Sequence, residues 1–317
     1  MKLKILPLHP YEPAHHERAK ALAKKHGLTL EYQDPGMKNP DILEMVEGAD
    51  LLIATPHLGA DILPALPSCK LIALEFTGYD AIDVAKARAQ DITVCNVPGY
   101  STHDVAERIM SYLLTLTQRL REGEKILREG QWTEAVCTQS ISLKGKTMGL
   151  LGMGRIGQEV TKMAHAFGMN VIAHTANPDD ERKEKLNIEW VSFDGLLEQA
   201  DVVALAAPAT AQNHEIFDAS AFKKMKKTAI FINAARGALV DESALAEVLK
   251  NNDIAAAGID VYQQEPLQAN HPLLEAPNTI LTPHTAFASD VSLDKLHHVA
   301  LDNVEAFLEG RPQNEVN

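Results

Sequence analysis

Short apolar runs alternate with longer helical patterns along this chain of 317 residues. In the first third the apolar runs are "KILPL", "LTLEY", "DLLIAT", "KLIALE" and "ITVCNV", and segments such as "HERAKALAKKHG" separate them. Nearly continuous apolar strands with helices between them are typical of a parallel sheet that helices cover on both faces. The alternation therefore predicts an α/β fold.

A second set of the same kind runs through "KTMGLLG", "NVIAHT", "DVVALAA", "AIFINAA", "AAAGIDV" and "TILTPH". One long helical pattern from His103 to Gly130 joins the two sets, and the helical segment "SDVSLDKLHHVALDNVEAFLEG" follows the second. A chain of this length exceeds one core of ordinary size. We therefore expect two doubly wound domains, with the last helix packed on the first half.

Composition excludes several classes of partner. The chain has 43 acidic and 30 basic residues and a net charge of -13, which repels nucleic acid and anionic membranes. No apolar run resembles a signal peptide or approaches the roughly 20 residues of a membrane span. Cys69, Cys95 and Cys137 have neither disulfide nor zinc spacing, so no structural metal is expected. These features predict a soluble cytoplasmic protein without nucleic acid or membrane partners.

The segment "TMGLLGMGRIGQEVTKMAHAFG" places Gly152, Gly154 and Gly157 at G-x-G-x-x-G spacing between an apolar strand and a helical pattern. The first glycine permits a tight turn, the second lets a pyrophosphate approach the backbone, and the third lets the helix pack on the strand. The N-terminus of the helix offers free N–H groups to phosphates. The loop predicts a dinucleotide site, in which Arg155 is either a phosphate contact or an ordinary exposed arginine.

Three stretches in the second half carry polar side chains after successive apolar runs. They are "INAARGALVDE" with Arg236, "GIDVYQQEP" with Asp260 and Glu265, and "LTPHTAF" with His284. Since parallel strands end at one edge of the sheet, these side chains can meet there. A guanidinium suits a carboxylate, and a histidine held by a carboxylate can move a proton. Each residue alone has a structural explanation, but together they predict an active site.

On these motifs the chain resembles the D-isomer-specific 2-hydroxyacid dehydrogenases. The resemblance covers nearly the whole sequence and includes "TGYDAIDVAKARAQDITVCNVPGYS", "LKGKTMGLLGMGRIGQ", "MKKTAIFINAARGALVDESAL", "GIDVYQQEPL" and "HPLLEAPNTILTPHTAF". It implies a Rossmann dinucleotide-binding domain over residues 102–287. This domain would be inserted in a flavodoxin-like substrate domain, which would comprise residues 1–101 and 288–317.

The resemblance also implies roles for single residues. Arg236 would bind the carboxylate and carbonyl of the substrate, and His284 would protonate the carbonyl oxygen as hydride reaches the carbon. Glu265 would orient His284 and stabilise its charged form. Backbone N–H groups around Thr77 and Gly78 would form a second cradle for the carboxylate.

Further contacts are implied for the cofactor, which would be NAD or NADP. The expected residues are Gly152, Gly154, Arg155, Ile156, Gly157, Thr175, Pro208, Ala234 and Asp260. Alternatives remain for two of them, since Pro208 could simply end a strand and Asp260 could simply cap a turn.

The long helix from His103 resembles the family's dimerisation arm, which implies a homodimer. Its apolar residues exceed what one core face requires, and an ordinary interdomain helix is the alternative. The residues concerned are Ile109, Met110, Leu113, Leu114 and Leu116.

In "NVIAHTANPDD", Thr175 stands where the family usually has an acidic residue that binds the ribose hydroxyls. Asp179 and Asp180 come too late to replace it. A carboxylate there repels the 2′-phosphate of NADP, so its absence removes a barrier. Nearby, Asn177 offers only a neutral donor and Arg182 lies further on, so we expect relaxed cofactor use with NADP tolerated.

Taken together, these features predict an oxidoreductase that transfers hydride between a nicotinamide cofactor and a small 2-oxo acid or D-2-hydroxy acid. "NVPGYST" resembles the glycerate and hydroxypyruvate branch of the family, which implies a substrate like glyoxylate or hydroxypyruvate. Two alternatives stay open. One is a dinucleotide-sensing interaction protein of the corepressor type, and the other is a formate or phosphite dehydrogenase on the same scaffold.

Overall fold

The computed structural model describes residues 1–7, 9–33, 42–55, 62–80, 82–132 and 140–317, so Cys137 and Ala81 of the "TGYDAID" motif lie outside it. The chain forms two compact units, Met1–Tyr100 with Ser289–Asn317, and Ser101–Ala288. The domain boundaries expected from the sequence lie one residue away from each division. The roles of the two units as substrate and cofactor domains remain predictions.

The first unit contains a parallel sheet of five strands. The strands are β1 (Lys2–Leu6), β2 (Thr29–Tyr32), β3 (Leu51–Ala54), β4 (Leu71–Leu74) and β5 (Thr93–Cys95), in the spatial order β2-β1-β3-β4-β5. Its helices are α1 (Pro13–His26), α2 (Ile42–Val46), α3 (Val84–Ala89) and α11 (Asp290–Leu308). Every residue of β3 and β4 is buried, as expected for central strands covered on both faces. The C-terminal helix α11 packs on α1, β3 and β4, as predicted.

The second unit contains a parallel sheet of seven strands in the order β12-β11-β10-β9-β6-β7-β8. These strands are β6 (Thr147–Leu151), β7 (Asn170–His174), β8 (Glu189–Trp190), β9 (Val202–Leu205), β10 (Ile230–Asn233), β11 (Ala256–Ile259) and β12 (Thr279–Leu281). Its helices are α4 (Thr102–Gln118), α5 (Leu120–Arg128), α6 (Arg155–Ala166), α7 (Asp180–Leu186), α8 (Phe193–Gln199), α9 (Ala219–Lys224) and α10 (Glu242–Lys250). β8 was not predicted, because two residues are too few to show a periodicity.

Both strand orders are those of doubly wound sheets. The first unit has the flavodoxin-like order, and the second has the Rossmann order with one further strand at its edge. In such sheets ligands bind outside the carboxyl ends of the strands, where the strand order reverses. In the second unit this point lies between β6 and β9, which are neighbours in the sheet. The predicted fold class is therefore confirmed.

The long helical pattern after His103 forms two helices instead of one. Arg119 adopts a left-handed conformation with a φ of 55° and separates α4 from α5. Ile109, Met110 and Leu113 are at most 4% exposed and belong to the core of the second unit. The interpretation of these apolar residues as surplus to the core was therefore wrong.

Large apolar side chains are exposed further along this segment. Leu120 on α5 is 60% exposed, Leu127 is 58% exposed, and Trp132 just beyond the helix is 87% exposed. Among the described helices, none combines the length and the apolar character that crossing a bilayer requires.

Candidate active site

The glycine loop connects β6 to α6 and has the shape that a pyrophosphate needs. A Cβ on Gly152, where φ is 96°, would lie 2.7 Å from the carbonyl oxygen of Ala206, and one on Gly157 would lie 2.5 Å from that of Gly152. By contrast, a Cβ on Gly154 would meet no atom within 4 Å. Gly154 is the N-cap residue of α6 and has no side chain to cap the helix, which leaves the N–H groups of the first turn available. The loop therefore fits a dinucleotide phosphate at Gly154.

The other residues expected to contact the cofactor lie at the same edge of this sheet. Arg155 is exposed and Ile156 is half-buried in the first turn of α6. Pro208 is exposed after β9, where its carbonyl accepts a hydrogen bond of 2.9 Å from Asn213. Ala234 is buried directly after β10. These positions suit a ligand laid across β6, β9 and β10, and their contacts with the cofactor stay predictions.

Thr175 follows β7 and is half-buried. Close to this strand end, Arg182 in the first turn of α7 reaches back and donates a hydrogen bond of 3.1 Å to the carbonyl of Met153 in the glycine loop. Its Nε lies 3.5 Å from Oδ2 of Asp179, and its guanidinium carbon lies 6.0 Å from the ring centre of Trp190. In the sequence, Arg182 lies seven positions beyond Thr175, and this distance gave no reason to place it at the loop. The helical turn that begins at Asp179 was the signal that could have placed it at the loop.

His284 and Glu265 form a hydrogen-bonded pair. Nδ1 of His284 lies 2.7 Å from Oε2 of Glu265, while Oε1 of Glu265 accepts the backbone N–H of Tyr262 at 2.9 Å. The carboxylate thus holds the imidazole ring in one orientation. The His284 side chain is 44% exposed, so the ring can exchange protons with its surroundings. With Nδ1 bound to Glu265, Nε2 is the nitrogen that can serve a substrate.

The backbone of His284 is held in an unusual conformation by Asp260. His284 has a φ of 50°, in the left-handed region, and its N–H donates to the carbonyl of Asp260 at 2.7 Å. The Asp260 carboxylate is fully buried and accepts the N–H groups of Thr285 at 2.9 Å and Ala286 at 2.8 Å, together with the hydroxyl of Thr282. These contacts favour a role in shaping the loop over the expected direct contact with the cofactor. Backbone strain that surrounding bonds maintain is common at active sites.

Arg236 lies in the loop after β10 and is half-buried. Asn233, at the end of β10, forms two hydrogen bonds with this loop. Its Nδ2 donates to the carbonyl of Arg236 at 2.9 Å, and its Oδ1 accepts the N–H of Ala235 at 3.0 Å. A Cβ on Gly237 would lie 1.9 Å from the carbonyl carbon of Tyr262, so only glycine fits there. The arginine loop therefore rests on the turn that carries Glu265.

Thr77 and Gly78 lie in the loop after β4 of the first unit. The Thr77 hydroxyl donates to the carbonyl of Val97 at 2.8 Å, and the Thr77 carbonyl accepts from Nδ2 of Asn96 at 2.7 Å. These bonds fix the conformation of the loop. Its predicted role as a carboxylate cradle stays a prediction.

Two groups of side chains among the described residues have the spacing of metal ligands. They are His15 with Asp294 and His298, and His26 with Glu305 and Glu309. In the first group, Nδ1 of His15 accepts the N–H of Glu12 at 3.2 Å, so Nε2 carries the hydrogen that bonds Asp294 at 2.9 Å. In the second, the Lys25 ammonium lies 2.6 Å and 2.9 Å from the two carboxylates. Both groups are therefore occupied by hydrogen bonds and ion pairs of the protein itself.

Comparison with known proteins agrees with this geometry. Residues 110–286 match the family model described as D-isomer specific 2-hydroxyacid dehydrogenase, NAD binding domain. A glycerate dehydrogenase of Methylorubrum extorquens is 38% identical over 284 residues, which are 87% of this chain and 88% of that protein. A glyoxylate reductase of Aeropyrum pernix is 36% identical over 295 residues, 90% of this chain and 88% of the relative. The crystal structure of the TT0316 protein from Thermus thermophilus superposes with a TM-score of 0.89 at 36% identity, and each chain is covered completely.

The doubly wound sheet, its glycine loop and the histidine–glutamate pair define a nicotinamide-dependent oxidoreductase. With the comparisons, the class becomes specific: the chain belongs to the D-isomer specific 2-hydroxyacid dehydrogenase family. It is an NAD(P)-dependent enzyme acting on 2-hydroxy acids or the corresponding 2-oxo acids, which confirms the prediction from sequence. The named relatives are enzymes, which favours a dehydrogenase over the dinucleotide-sensing and formate or phosphite alternatives.

Proposed function

We propose that this enzyme reduces glyoxylate and hydroxypyruvate to glycolate and D-glycerate. The observation that carries the proposal is the bond of 2.7 Å between His284 and Glu265, on loops that follow the neighbouring strands β12 and β11. The names of the relatives, glyoxylate reductase and glycerate dehydrogenase, support substrates of this size. The half-buried Arg236 on the next strand end supports an acid as the substrate.

The glycine loop would hold the pyrophosphate of a nicotinamide cofactor, and that cofactor would supply or accept the hydride. In this mechanism the Arg236 guanidinium binds the substrate carboxylate through its planar fork and orients the carbonyl group. The imidazolium of His284 donates the proton on Nε2 to the carbonyl oxygen as negative charge develops there. Glu265 holds the ring through Nδ1 and stabilises its positive charge before the transfer. The ring then regains a proton from solvent.

A role in binding the substrate carboxylate is also proposed for the N–H groups around Thr77 and Gly78. The fixed conformation of the Thr77 loop supports this role.

We propose further that both NADH and NADPH are used. With Thr175, the strand end where the adenosine ribose would bind carries no carboxylate that would repel a 2′-phosphate. Arg182, held on the carbonyl of Met153, brings a guanidinium to the glycine loop. A cation at this point favours the additional phosphate of NADPH.

The enzyme is proposed to act as a homodimer in a reducing cytoplasm. The exposed side chains of Leu120, Leu127 and Trp132 supply an apolar surface that a second copy of the chain would cover. Cys69 and Cys95 are free and buried, and burial raises the pKa of the Cys69 thiol to about 11 and that of Cys95 to about 12. Inert free thiols are compatible with a reducing compartment.

Steady-state kinetics tests the proposed reaction. Glyoxylate, hydroxypyruvate, pyruvate and a branched 2-oxo acid are each supplied with NADH and with NADPH, and the decrease in reduced cofactor is recorded. We expect the highest kcat/KM with glyoxylate or hydroxypyruvate. Oxidation of formate or phosphite, a preference for the branched acid, or no turnover across the panel would each contradict the proposal.

A further inference from the structure

A second glutamate–histidine pair lies close to the first, and its glutamate is buried. Glu242 is the first residue of α10 and is 8% exposed, and its Oε2 lies 3.0 Å from Nε2 of His271. The other ring nitrogen of His271 accepts the N–H of Leu273 at 3.4 Å. His271 therefore carries its hydrogen on Nε2 and donates it to Glu242.

The other oxygen of Glu242 binds the turn that carries Glu265. Oε1 of Glu242 accepts the backbone N–H of Gln263 at 2.8 Å, next to the Tyr262 N–H that bonds Glu265. The Gln263 side chain also donates to the carbonyl of Val240 at 2.7 Å. Two successive N–H groups of one turn are thus held by two different carboxylates. Because both bonds are short, the turn has little freedom to move Glu265 away from His284.

A buried carboxylate is costly unless hydrogen bonds compensate for its lost hydration. Burial raises the pKa of the Glu242 carboxyl, and the charge of the nearby Glu265 acts in the same direction, while Gln263 and His271 oppose it. The helix dipole of α10 also favours a negative charge at this position. An apolar side chain at position 242 would avoid the cost of burying a charge. The bond from Gln263 therefore indicates that the Glu242 carboxylate serves to hold the turn.

We propose that Glu242 and His271 are positioning residues for the reaction. They hold the turn at residues 262–265 so that Glu265 meets His284 at 2.7 Å. This inference rests on the proposed function, in which His284 is the proton donor. Loss of either residue would loosen the catalytic pair and leave the glycine loop unchanged.

The test compares Glu242→Leu with Glu247→Gln, an exposed glutamate on the same helix that serves as the matched control. Each substitution is also combined with Glu265→Gln in a double-mutant cycle, and folded protein is quantified by the stoichiometry with which it binds the reduced cofactor that the parent prefers. We expect Glu242→Leu to lower kcat about tenfold in the parent, since small displacements of a catalytic group are expensive. With Glu265→Gln already present, Glu242→Leu should lower kcat less than about twofold, because both substitutions act on the contact between Glu265 and His284. Glu247→Gln should leave kcat unchanged in the parent and in the Glu265→Gln background.

Hydrogen exchange supplies a readout that does not depend on turnover. The N–H groups of Tyr262 and Gln263 should exchange faster in Glu242→Leu than in the control, because their turn opens more often. His271→Phe, which keeps a planar ring and removes the donor, should show the same changes and is the second variant if Glu242→Leu does not fold. A parent-like kcat in Glu242→Leu would overturn the proposal. An equal loss of kcat in the parent and in the Glu265→Gln background would also overturn it. A parent enzyme that is inactive on every 2-oxo acid would instead refute the proposed function.

Discussion

Nδ1 of His284 lies 2.7 Å from Oε2 of Glu265, although the two residues are 19 positions apart in the chain. Their loops follow β12 and β11, which pair in parallel, so both loops leave the sheet at its carboxyl edge. A histidine held in this way presents its other nitrogen to a ligand in one orientation. This geometry supports the proposed role of His284 as a proton donor that a neighbouring carboxylate holds in place.

Replacing the imidazole should remove most of the catalysis. In His284→Ala we expect kcat for reduction of the best 2-oxo acid to fall roughly 10²–10⁴-fold, the usual contribution of general acid catalysis. The dissociation constant for NADPH, measured by fluorescence titration, should change little because the glycine loop lies on other strand ends. Turnover at the parent rate would show that another group donates the proton.

Arg236→Lys should reveal how much the planar guanidinium group of Arg236 contributes to binding the substrate carboxylate. Lysine keeps the positive charge but cannot form two parallel bonds to a carboxylate, so we expect kcat/KM to fall about tenfold or more. The matched control is Arg128→Lys, an exposed arginine on α5 that pairs with Glu124. Steady-state kinetics on glyoxylate measures both variants. An unchanged kcat/KM in Arg236→Lys would contradict its role in carboxylate binding.

Two substitutions should change the choice of cofactor in a predictable direction. Thr175→Asp introduces the carboxylate that repels a 2′-phosphate, so kcat/KM with NADPH should fall at least about tenfold more than with NADH. Arg182→Ala should raise KM for NADPH and leave KM for NADH nearly unchanged. If the parent already prefers NADH by roughly a thousandfold, about 4 kcal/mol, the proposal of NADPH use fails.

Stability should depend on pH through His15 in the first unit. Burial lowers the pKa of His15 below its ordinary value of 6.5, and the hydrogen bond to Asp294 opposes this effect without cancelling it. The unfolded chain therefore binds a proton at higher pH than the folded chain. The free energy of unfolding should fall as the pH drops below 6.5, and the contribution should be fully present above that value.

Urea unfolding at several pH values measures this dependence. His15→Gln, which offers an acceptor and a donor without a titrating ring, should reduce the slope below pH 6.5. His103→Gln, at a side chain that is 63% exposed, is the control. Equal slopes in the parent and in His15→Gln would contradict the assignment to His15.

The exposed apolar surface of Leu120, Leu127 and Trp132 should determine the oligomeric state. Trp132→Asp, at a side chain that is 87% exposed, should shift a dimer towards monomer, since it places a charge where the second copy would pack. Val291→Asp changes another exposed apolar side chain, on α11, and should leave the dimer intact. Sedimentation velocity measures both. A monomeric parent, or a dimeric Trp132→Asp, would contradict the proposed dimer surface.

Local patterns in the sequence were sufficient for the fold class. Alternation of apolar runs with helical periods depends only on residues that are near one another in the chain, and it predicted eleven of the twelve strands found among the described residues. The spacing of Gly152, Gly154 and Gly157 also carries its own physical meaning, because backbone clearance within one loop requires it. Polar residues at successive strand ends predicted the site, because parallel strands end at one edge of the sheet.

The sequence by itself therefore determined the two doubly wound sheets, the dinucleotide loop and the candidates Arg236, Glu265 and His284. Only the tertiary structure decided that Ile109 is a core residue, that Arg182 lies on the glycine loop, and that Glu242 holds the turn of Glu265. Each of these depends on contacts between segments that are distant in the chain. No local periodicity specifies such contacts, because burial and hydrogen-bond partners are set by the packing of one element on another.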